Sequence, residues 1–195
     1  MSKKIIMQKI IYTILILSSG LSITLEAQTI QAVVRFGSGF QGDSTVPGHL
    51  GSDGWFLLDS YSSGIENNVN IGNITAGKTT FNVHTLTMPY NTIQTDLLMK
   101  IATADHYDQI DIHYVCTSCT GDNGAPFLQY ELHLALVEKV EIGDEFDQLD
   151  YRVLIRNGAI KRTYTIRSAD GTLTQNQLAV MWSRVKNNAT TEVSP

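Results

Sequence analysis

Hydrophobic and polar residues alternate with a period of two along most of the chain beyond residue 28, which is typical of half-buried β-strands. The longest such run predicts a strand over 130–142. One parity supplies its expected core face, which consists of Tyr130, Leu132, Leu134, Leu136, Val140 and Ile142. The other parity carries polar side chains such as Glu131 and Lys139, so this strand is expected to separate a core from solvent.

Two further strands are predicted over 149–156 and 160–166, with Asn157-Gly158 between them. Because Asn-Gly is the strongest sequence signal for a two-residue hairpin, this pair is expected to form a tight antiparallel hairpin. Its expected inward-facing residues are Leu149, Tyr151, Val153, Ile155, Ile160, Tyr164 and Ile166. Asp170-Gly171 predicts another turn, and a last strand is expected through Leu178, Val180 and Trp182.

Upstream, alternation predicts strands from Ile30 to Phe36, from Trp55 to Tyr61, and from Thr79 to Met88 with its end at Pro89. One segment differs, because apolar residues recur at helical spacing between Asn91 and Ala104. Asn91 is expected to cap this helix, with Gln94 in the reciprocal capping position. Many strands with a single helix predict a mainly β fold, an antiparallel two-sheet β-barrel with one flanking α-helix.

The N-terminus has the features of a secretory signal peptide. Lys3, Lys4 and Lys9 precede an uncharged apolar run, and Ala27 offers a small residue for cleavage before Gln28. The run is broken by Ser-Ser-Gly and is shorter than the ~20 apolar residues of a spanning helix. Residues 1–27 are therefore expected to be removed on export to the periplasm or the extracellular space. An uncleaved membrane anchor is the alternative.

The remaining residues, 28–195, have the length of a single domain. Three lysines and one glutamate leave with the signal peptide, so the net charge changes from −5 to −7. The sequence contains no long basic stripe. This pattern argues against nucleic acid, or an anionic membrane after signal removal, as the main partner.

Cys116 and Cys119 are the only cysteines and have C-x-x-C spacing. In an exported protein this spacing favours a local disulfide across a turn. A thioredoxin-like redox pair would start a helix after a strand, whereas turn residues follow here, from Thr120 to Gly124. A zinc site would need two more ligands, which the sequence does not place nearby.

Gly37 to Gly42 matches G-x-G-x-x-G after a predicted strand. A dinucleotide site also needs a helix whose N-terminus faces the pyrophosphate, and the proline and glycines over 43–54 exclude one. Segment 37–54 exceeds the usual connection length and is expected to be a long mobile loop, either functional or disordered. The strand residues His84, His113 and His133 lack metal-binding spacing, and no nucleophile elbow occurs. The chain is predicted to be a non-enzyme without cofactor or metal.

Several motifs resemble the Hcp (haemolysin-coregulated protein) family of type VI secretion tube proteins. The first part of the resemblance is carried by Gly42-Asp43-Ser44-Thr45, Gly48-His49, Trp55, Ser60-Tyr61-Ser62-Ser63-Gly64-Ile65 and Asn67. Ile101 to His106 resembles the end of the family's helix, Phe127 to Leu132 its next long strand, and Met181 to Asn188 its closing segment. The resemblance spans roughly 32–188, although the signal peptide and the cysteine pair are not part of the family's pattern.

The resemblance implies a barrel of two antiparallel sheets and hexameric rings that stack into a secreted tube. It implies as partners other copies of the chain, a spike protein, a sheath, and effectors carried in the lumen. Loop 37–54 is the expected contact between subunits, through Phe40, Asp43, Ser44, Thr45, His49 and Leu50. A monomeric envelope module that binds glycan or peptide is the alternative function, and an exported hydrolase is a third.

Overall fold

The computed structural model describes residues 29–70, 75–119, 124–143, 149–168 and 172–191. The predicted signal peptide and the predicted turn at Asp170-Gly171 lie outside these residues. The described chain is mostly strand, with one α-helix, α1 (Gln94–Thr103). The strands are β1 (Ile30–Phe36), β2 (Thr45–Val46), β3 (His49–Leu50), β4 (Trp55–Leu58), β5 (Ser60–Ser62), β6 (Ile65–Asn70), β7 (Thr75–Phe81), β8 (His84–Pro89), β9 (His106–Cys116), β10 (Pro126–Gly143), β11 (Asp150–Arg167) and β12 (Leu173–Ser183).

Eight strands form one antiparallel sheet that curls strongly into a half-barrel. Its strand order is β4-β1-β9-β10-β11-β8-β5, and β12 also pairs with β11. Strands β2 and β3 form one small sheet, and β6 and β7 form another. The predicted fold class, mainly β and antiparallel with one flanking helix, is confirmed.

The main core joins the curled sheet to α1. Its largest fully buried side chains are Phe36, Phe56, Leu86, Met88, Ile93, Leu97, Ile110, Ile112, Leu132, Tyr151 and Ile155. The ring of Phe36 lies 6.2 Å from that of Phe56 and 5.5 Å from that of Tyr107, measured between centroids. Since each large apolar side chain stabilises the fold by roughly 1.5–3 kcal/mol when buried, this cluster sets the position of the helix on the sheet.

The helix lies where the periodicity predicts it, but it begins later. The Asn91 side chain accepts hydrogen bonds from the Ile93 backbone at 3.2 Å and from the Tyr151 hydroxyl at 2.5 Å. Asn91 therefore fixes the turn before the helix, and the helix itself has no side-chain cap. The predicted N-cap at Asn91 and reciprocal cap by Gln94 are wrong, because Ile93 is the N-cap residue and Gln94 is the first residue of the helix. Within the described ranges, no helix is long and apolar enough to cross a membrane.

Two predicted strands are each divided by a short break. The strand expected from Trp55 to Tyr61 breaks at Asp59 into β4 and β5, which pair with β1 and β8 respectively. The strand expected from Thr79 to Met88 breaks at Asn82-Val83 into β7 and β8, which pair with β6 and β11. Each break lets consecutive residues pair with different neighbours, and this change of partner cannot be read from alternation alone.

Strand β11 runs without interruption, so the predicted hairpin turn at Asn157-Gly158 is wrong. Long-range pairing overrides the local signal: β10 pairs with β11 along its length, while on the other side β8 pairs with 150–155 and β12 with 159–167. Asn157 lies where one neighbour replaces the other. Its buried side chain contacts His84 Nε2 at 3.0 Å and donates to the Ala159 carbonyl at 2.8 Å.

The missing turn also changes which side chains of β11 face inward. Tyr151, Val153 and Ile155 are buried as predicted. Because the strand continues straight on, the next buried positions are Asn157, Ala159, Thr163 and Thr165. The expected core residues Leu149, Tyr164 and Ile166 are exposed.

Strand β10 changes face at Leu134, which has a positive φ of 51°. Leu132 is buried before this point, and Ala135 and Val137 are buried after it. A second irregularity, between Val137 and Lys139, reverses the shift, so Val140 packs on the core. The predicted core positions Leu134, Leu136 and Ile142 are therefore wrong: Leu134 is half-buried, and Leu136 and Ile142 are exposed. A positive φ is costly for leucine, and no feature of the sequence announces it.

Candidate functional site

Segment 37–54, called loop 37–54 below, is folded onto the sheet. Strands β2 and β3 form a hairpin around Pro47-Gly48, and a single 3-10 turn follows over Gly51–Asp53. The Ser44 backbone donates to the Trp55 carbonyl at 3.0 Å, and Gly42 donates to the Gly51 carbonyl at 2.8 Å. The expected mobile loop is thus a docked hairpin. The hairpin also occupies the place of the helix that a dinucleotide site would need after Gly37 to Gly42.

His49 anchors this hairpin. Its side chain is buried, and its Nε2 lies 2.7 Å from Nδ1 of His113 in β9. The His49 ring also packs edge-on against Trp55, with 4.5 Å between centroids. Val46, on the other strand of the hairpin, is buried among apolar residues of β1, β4 and β9. These contacts add to the backbone hydrogen bond between Ser44 and Trp55 in holding the hairpin to the sheet.

An ion pair lies next to the two histidines. Arg35 Nη2 donates to the buried Asp111 carboxylate at 2.7 Å, and the guanidinium carbon is 4.9 Å from the Trp55 ring centroid. Burial lowers the pKa of His113 to about 4, with a further lowering from His49. Burial also lowers the pKa of His49. Both rings are therefore neutral at pH 7, and the hydrogen bond between them has one donor and one acceptor.

The six predicted interface residues of loop 37–54 have different environments. Ser44 and His49 are buried within the chain. Phe40 is half-buried and packs on Tyr107, 6.5 Å between ring centroids. Asp43 is exposed but accepts a hydrogen bond from the Leu57 backbone at 3.0 Å. Thr45 and Leu50 are exposed, Leu50 to 46%. Contact between subunits through this set stays a prediction.

The two cysteines and the first described residues lie at the end of the sheet where β9 ends. Cys116 and Cys119 are bonded through their sulfur atoms in the structure, with Cα atoms 5.5 Å apart. Thr29 accepts from the Thr117 backbone at 2.9 Å and donates its own N–H to Ser118 Oγ at 2.9 Å. Gly124 lies against the backbone of the Pro47-Gly48 turn. The start of β1, the cysteine pair and the Pro47-Gly48 tip of the hairpin therefore lie near one another.

The three strand histidines do not converge. His113 contacts His49, whereas His84 contacts the Tyr61 hydroxyl at 2.8 Å and His133 lies 3.6 Å from Glu131. Among the residues described, no group of three or more histidine, cysteine, aspartate or glutamate side chains is placed to hold a metal ion.

Strand β12 is the most open part of the described sheet. It pairs with β11 alone among the described strands, and residues 177–181 are exposed in succession. Leu178 and Val180 are 63% and 72% exposed. Paired residues of antiparallel strands share a face, so these two lie on the same face as Tyr164 and Arg162 of β11. An eleven-residue strand without a single charged residue thus lies at the edge of the sheet.

Comparison with known proteins identifies the family. The sequence matches the family described as "Type VI secretion system effector, Hcp" over residues 29–167, more than half of the chain. The chain belongs to the Hcp family. A comparison with curated protein sequences found no match.

Solved structures of Hcp proteins share the fold. A type six secretion system protein is similar over 83% of this chain and 100% of its own, with a TM-score of 0.73 and 13% identity. Hcp1 from Salmonella typhimurium is similar over 83% and 99%, with a TM-score of 0.63 and 14% identity. A type VI secretion system effector from Yersinia pestis is similar over 78% and 98%, with a TM-score of 0.58 and 8% identity. At these identities the similarity shows the fold alone.

The motif on which the Hcp resemblance depends has a structural role in this chain. Gly42, Asp43, Ser44 and His49 fasten loop 37–54 to β4 and β9 through the contacts given above. Sequence reasoning missed Arg35, Asp111 and His113 as neighbours of this motif. The β1–β9 register places Arg35 opposite Asp111, and a pairing between strands 76 positions apart leaves no local signal.

Proposed function

We propose that this Hcp-family chain is a non-catalytic structural subunit that closes into a hexameric ring, and that the rings stack into a tube. The exposed, uncharged edge strand β12 carries the proposal. Such an edge pairs readily with another chain, and monomeric proteins usually shield their edges with charge, proline or a covering element. A head-to-tail contact through one edge generates a ring when the rotation closes. The family supports the same assembly.

Loop 37–54 is the proposed contact between stacked rings. Its anchoring to β4 and β9 gives it a fixed shape, and Thr45 and Leu50 project from it. A preorganised loop loses little conformational entropy when it binds. The family adds a spike protein, a sheath and effectors in the lumen as proposed further partners, and the N-terminal segment adds export out of the cytoplasm.

Intact mass of the exported protein tests the processing and the cysteine pair together. We expect the mass of residues 28–195 less two hydrogen atoms, because cleavage follows Ala27 and the exported compartment favours the Cys116–Cys119 disulfide. A variant with both cysteines replaced by serine should remain folded, since the closed loop is short and its contribution lies at the low end of ~2–4 kcal/mol. A stable species that still carries Met1 to Ala27 would show that the segment is an anchor.

Replacing Leu50 by glutamate tests the stacking contact. The purified protein should sediment as a closed ring that associates lengthwise, and Leu50→Glu should weaken the lengthwise association at least about tenfold while rings persist. The reason is that a charge forced into an apolar contact costs more than about 1.4 kcal/mol. Leu98→Glu on α1 is the matched control, because Leu98 is 48% exposed and Leu50 46%. Phe40 is less suitable, since it packs on Tyr107.

Sedimentation velocity and negative-stain imaging distinguish single rings from stacked rings. If rings of the Leu50→Glu variant stack as strongly as wild-type rings, loop 37–54 is not the stacking contact. A wild-type chain that stays monomeric at high concentration, correctly processed, would overturn the ring proposal and favour a monomeric envelope-binding module.

A further inference from the structure

A groove with aromatic walls and basic ends lies next to β12. Two cavities of about 380 Å³ each share Phe81 and Trp182 as a common wall. Arg162 lines one cavity, together with apolar residues of β10, β11 and β12, and Arg184 lines the other. No aspartate or glutamate of the described chain lines either cavity. The chain has a net charge of −5, whereas the described residues that line this groove carry only positive charge.

The two arginines are available to an anionic partner. The Arg162 guanidinium lies 5.6 Å from the Tyr130 ring centroid, and that of Arg184 lies 5.5 Å from the Phe81 ring centroid. Arg184 donates to the Asn157 carbonyl at 3.3 Å. Neither arginine forms an ion pair with a described residue, whereas Arg35 and Arg156 each have a carboxylate partner. The groove therefore favours a ligand that combines apolar side chains with negative charge.

The chain contains a segment with the complementary chemistry. Residues 141–150 include the end of β10, the connection to β11 and the first residue of β11. They contain five carboxylates and no basic residue; the acids are Glu141, Asp144, Glu145, Asp147 and Asp150. Phe146 lies in the middle of this sequence. At its two ends Ile142 and Leu149 are exposed, Ile142 to 56%. Three apolar residues are thus interspersed among five acids, which is the combination that the groove favours.

We propose that segment 141–150 of one copy docks in the groove of a second copy. Its carboxylates would lie at Arg162 and Arg184, and its apolar side chains against Phe81 and Trp182. Asp150 and Arg162 are twelve residues apart on β11, about 40 Å along a strand that rises ~3.3 Å per residue. The segment and the groove therefore lie far apart on one chain. Each copy can place its segment in the groove of one neighbour and receive the segment of another neighbour in its own groove. The inference rests on the proposed function, because it names one contact of that assembly.

Charge reversal at Arg162 tests the contact. Arg162→Glu should weaken self-association at least about tenfold, because an attractive pair becomes repulsive. Lysines at Asp144, Glu145 and Asp147 should have the same effect, and combining both changes should restore association. Arg156→Glu, on the same strand but outside the groove, is the control; its exposed pair with Glu138 contributes little. Arg162 is exposed, so the variant is expected to fold, and circular dichroism verifies this.

A synthetic peptide of residues 141–150 separates this inference from the proposed function. Titrated into the protein, it should change the fluorescence of Trp182 saturably, with at least about tenfold weaker affinity for Arg162→Glu. A wild-type protein that forms rings, together with an Arg162→Glu variant that assembles equally well, overturns the docking and leaves the ring proposal standing. A wild type that associates without forming rings, together with an Arg162→Glu variant that no longer associates, supports the docking and overturns the ring. A wild type that stays monomeric overturns both. Equal binding of a scrambled peptide overturns the docking.

Discussion

Replacing Gly42 by alanine is expected to detach loop 37–54 and to lower the free energy of unfolding by about 3 kcal/mol. A Cβ at this position would lie less than 3.0 Å from the carbonyl carbon and oxygen of Trp55, and backbone cannot move aside as a flexible side chain can. The same carbonyl accepts the Ser44 hydrogen bond. The added methyl is therefore expected to break this bond and the one from Gly42 to the Gly51 carbonyl. Each contributes about 1 kcal/mol, and the overpacking cost is added to them.

Urea unfolding measures the loss of stability, and limited proteolysis measures the detachment of loop 37–54. Cleavage within loop 37–54 should become faster in Gly42→Ala, because Val46 and His49 lose their places in the cluster around Trp55. Gly143→Ala is the matched control, since nothing lies within 4 Å of a Cβ built there, and it should change stability by no more than about 0.5 kcal/mol. Equal stability and equal protease resistance of the two variants would show that Gly42 does not make this close approach.

Lowering the pH from 7 to 4 is expected to destabilise the folded chain by about 3 kcal/mol through His113. In the unfolded chain this histidine takes up its proton near the ordinary value of 6.5, whereas burial holds its pKa at about 4 in the folded chain. Between these values the unfolded state binds more protons, so the free energy of unfolding falls by about 1.4 kcal/mol for each pH unit. Above pH 6.5 His113 is neutral in both states and does not lower the free energy of unfolding. Below pH 4 it is protonated in both states, and the loss of stability is complete.

The variant His113→Asn isolates this effect from the titration of surface carboxylates. Its unfolding free energy should depend less steeply on pH between 6.5 and 4 than that of the wild type, while an amide remains to hydrogen-bond with His49. Urea titrations at several pH values provide the measurement. An identical slope in His113→Asn and the wild type contradicts the burial of a neutral His113.

Much of the fold could be predicted because it depends on local patterns. Strand β1 has the predicted bounds, and the odd-numbered positions from Tyr151 to Ile155 are buried as alternation requires. The helix follows from its own periodicity. These features need no knowledge of the neighbours, since a period of two or of 3.6 is present in the sequence itself.

The errors arise where neighbouring strands decide the outcome. Asn157-Gly158 favours a turn in isolation. In the structure β10 pairs with the residues before and after these two, and His84 contacts the Asn157 side chain. The positive φ of Leu134 exchanges the faces of β10 for a few residues, which alternation cannot foresee. The candidate site shows the same limit: His49 was identified from a motif, whereas His113 was identified as its partner only when β9 was placed next to it.

The pairing of β1 has a consequence for the time course of folding. Although β1 is the first strand of the described chain, its β9 register joins Ile30 to Cys116, so its second edge has no partner until well over half of the chain is available. Strands β9, β10 and β11 pair in chain order and can form early. Closing the longer loop is slower, as in other proteins with high contact order. During that delay β1 has one open edge, which could pair with another chain.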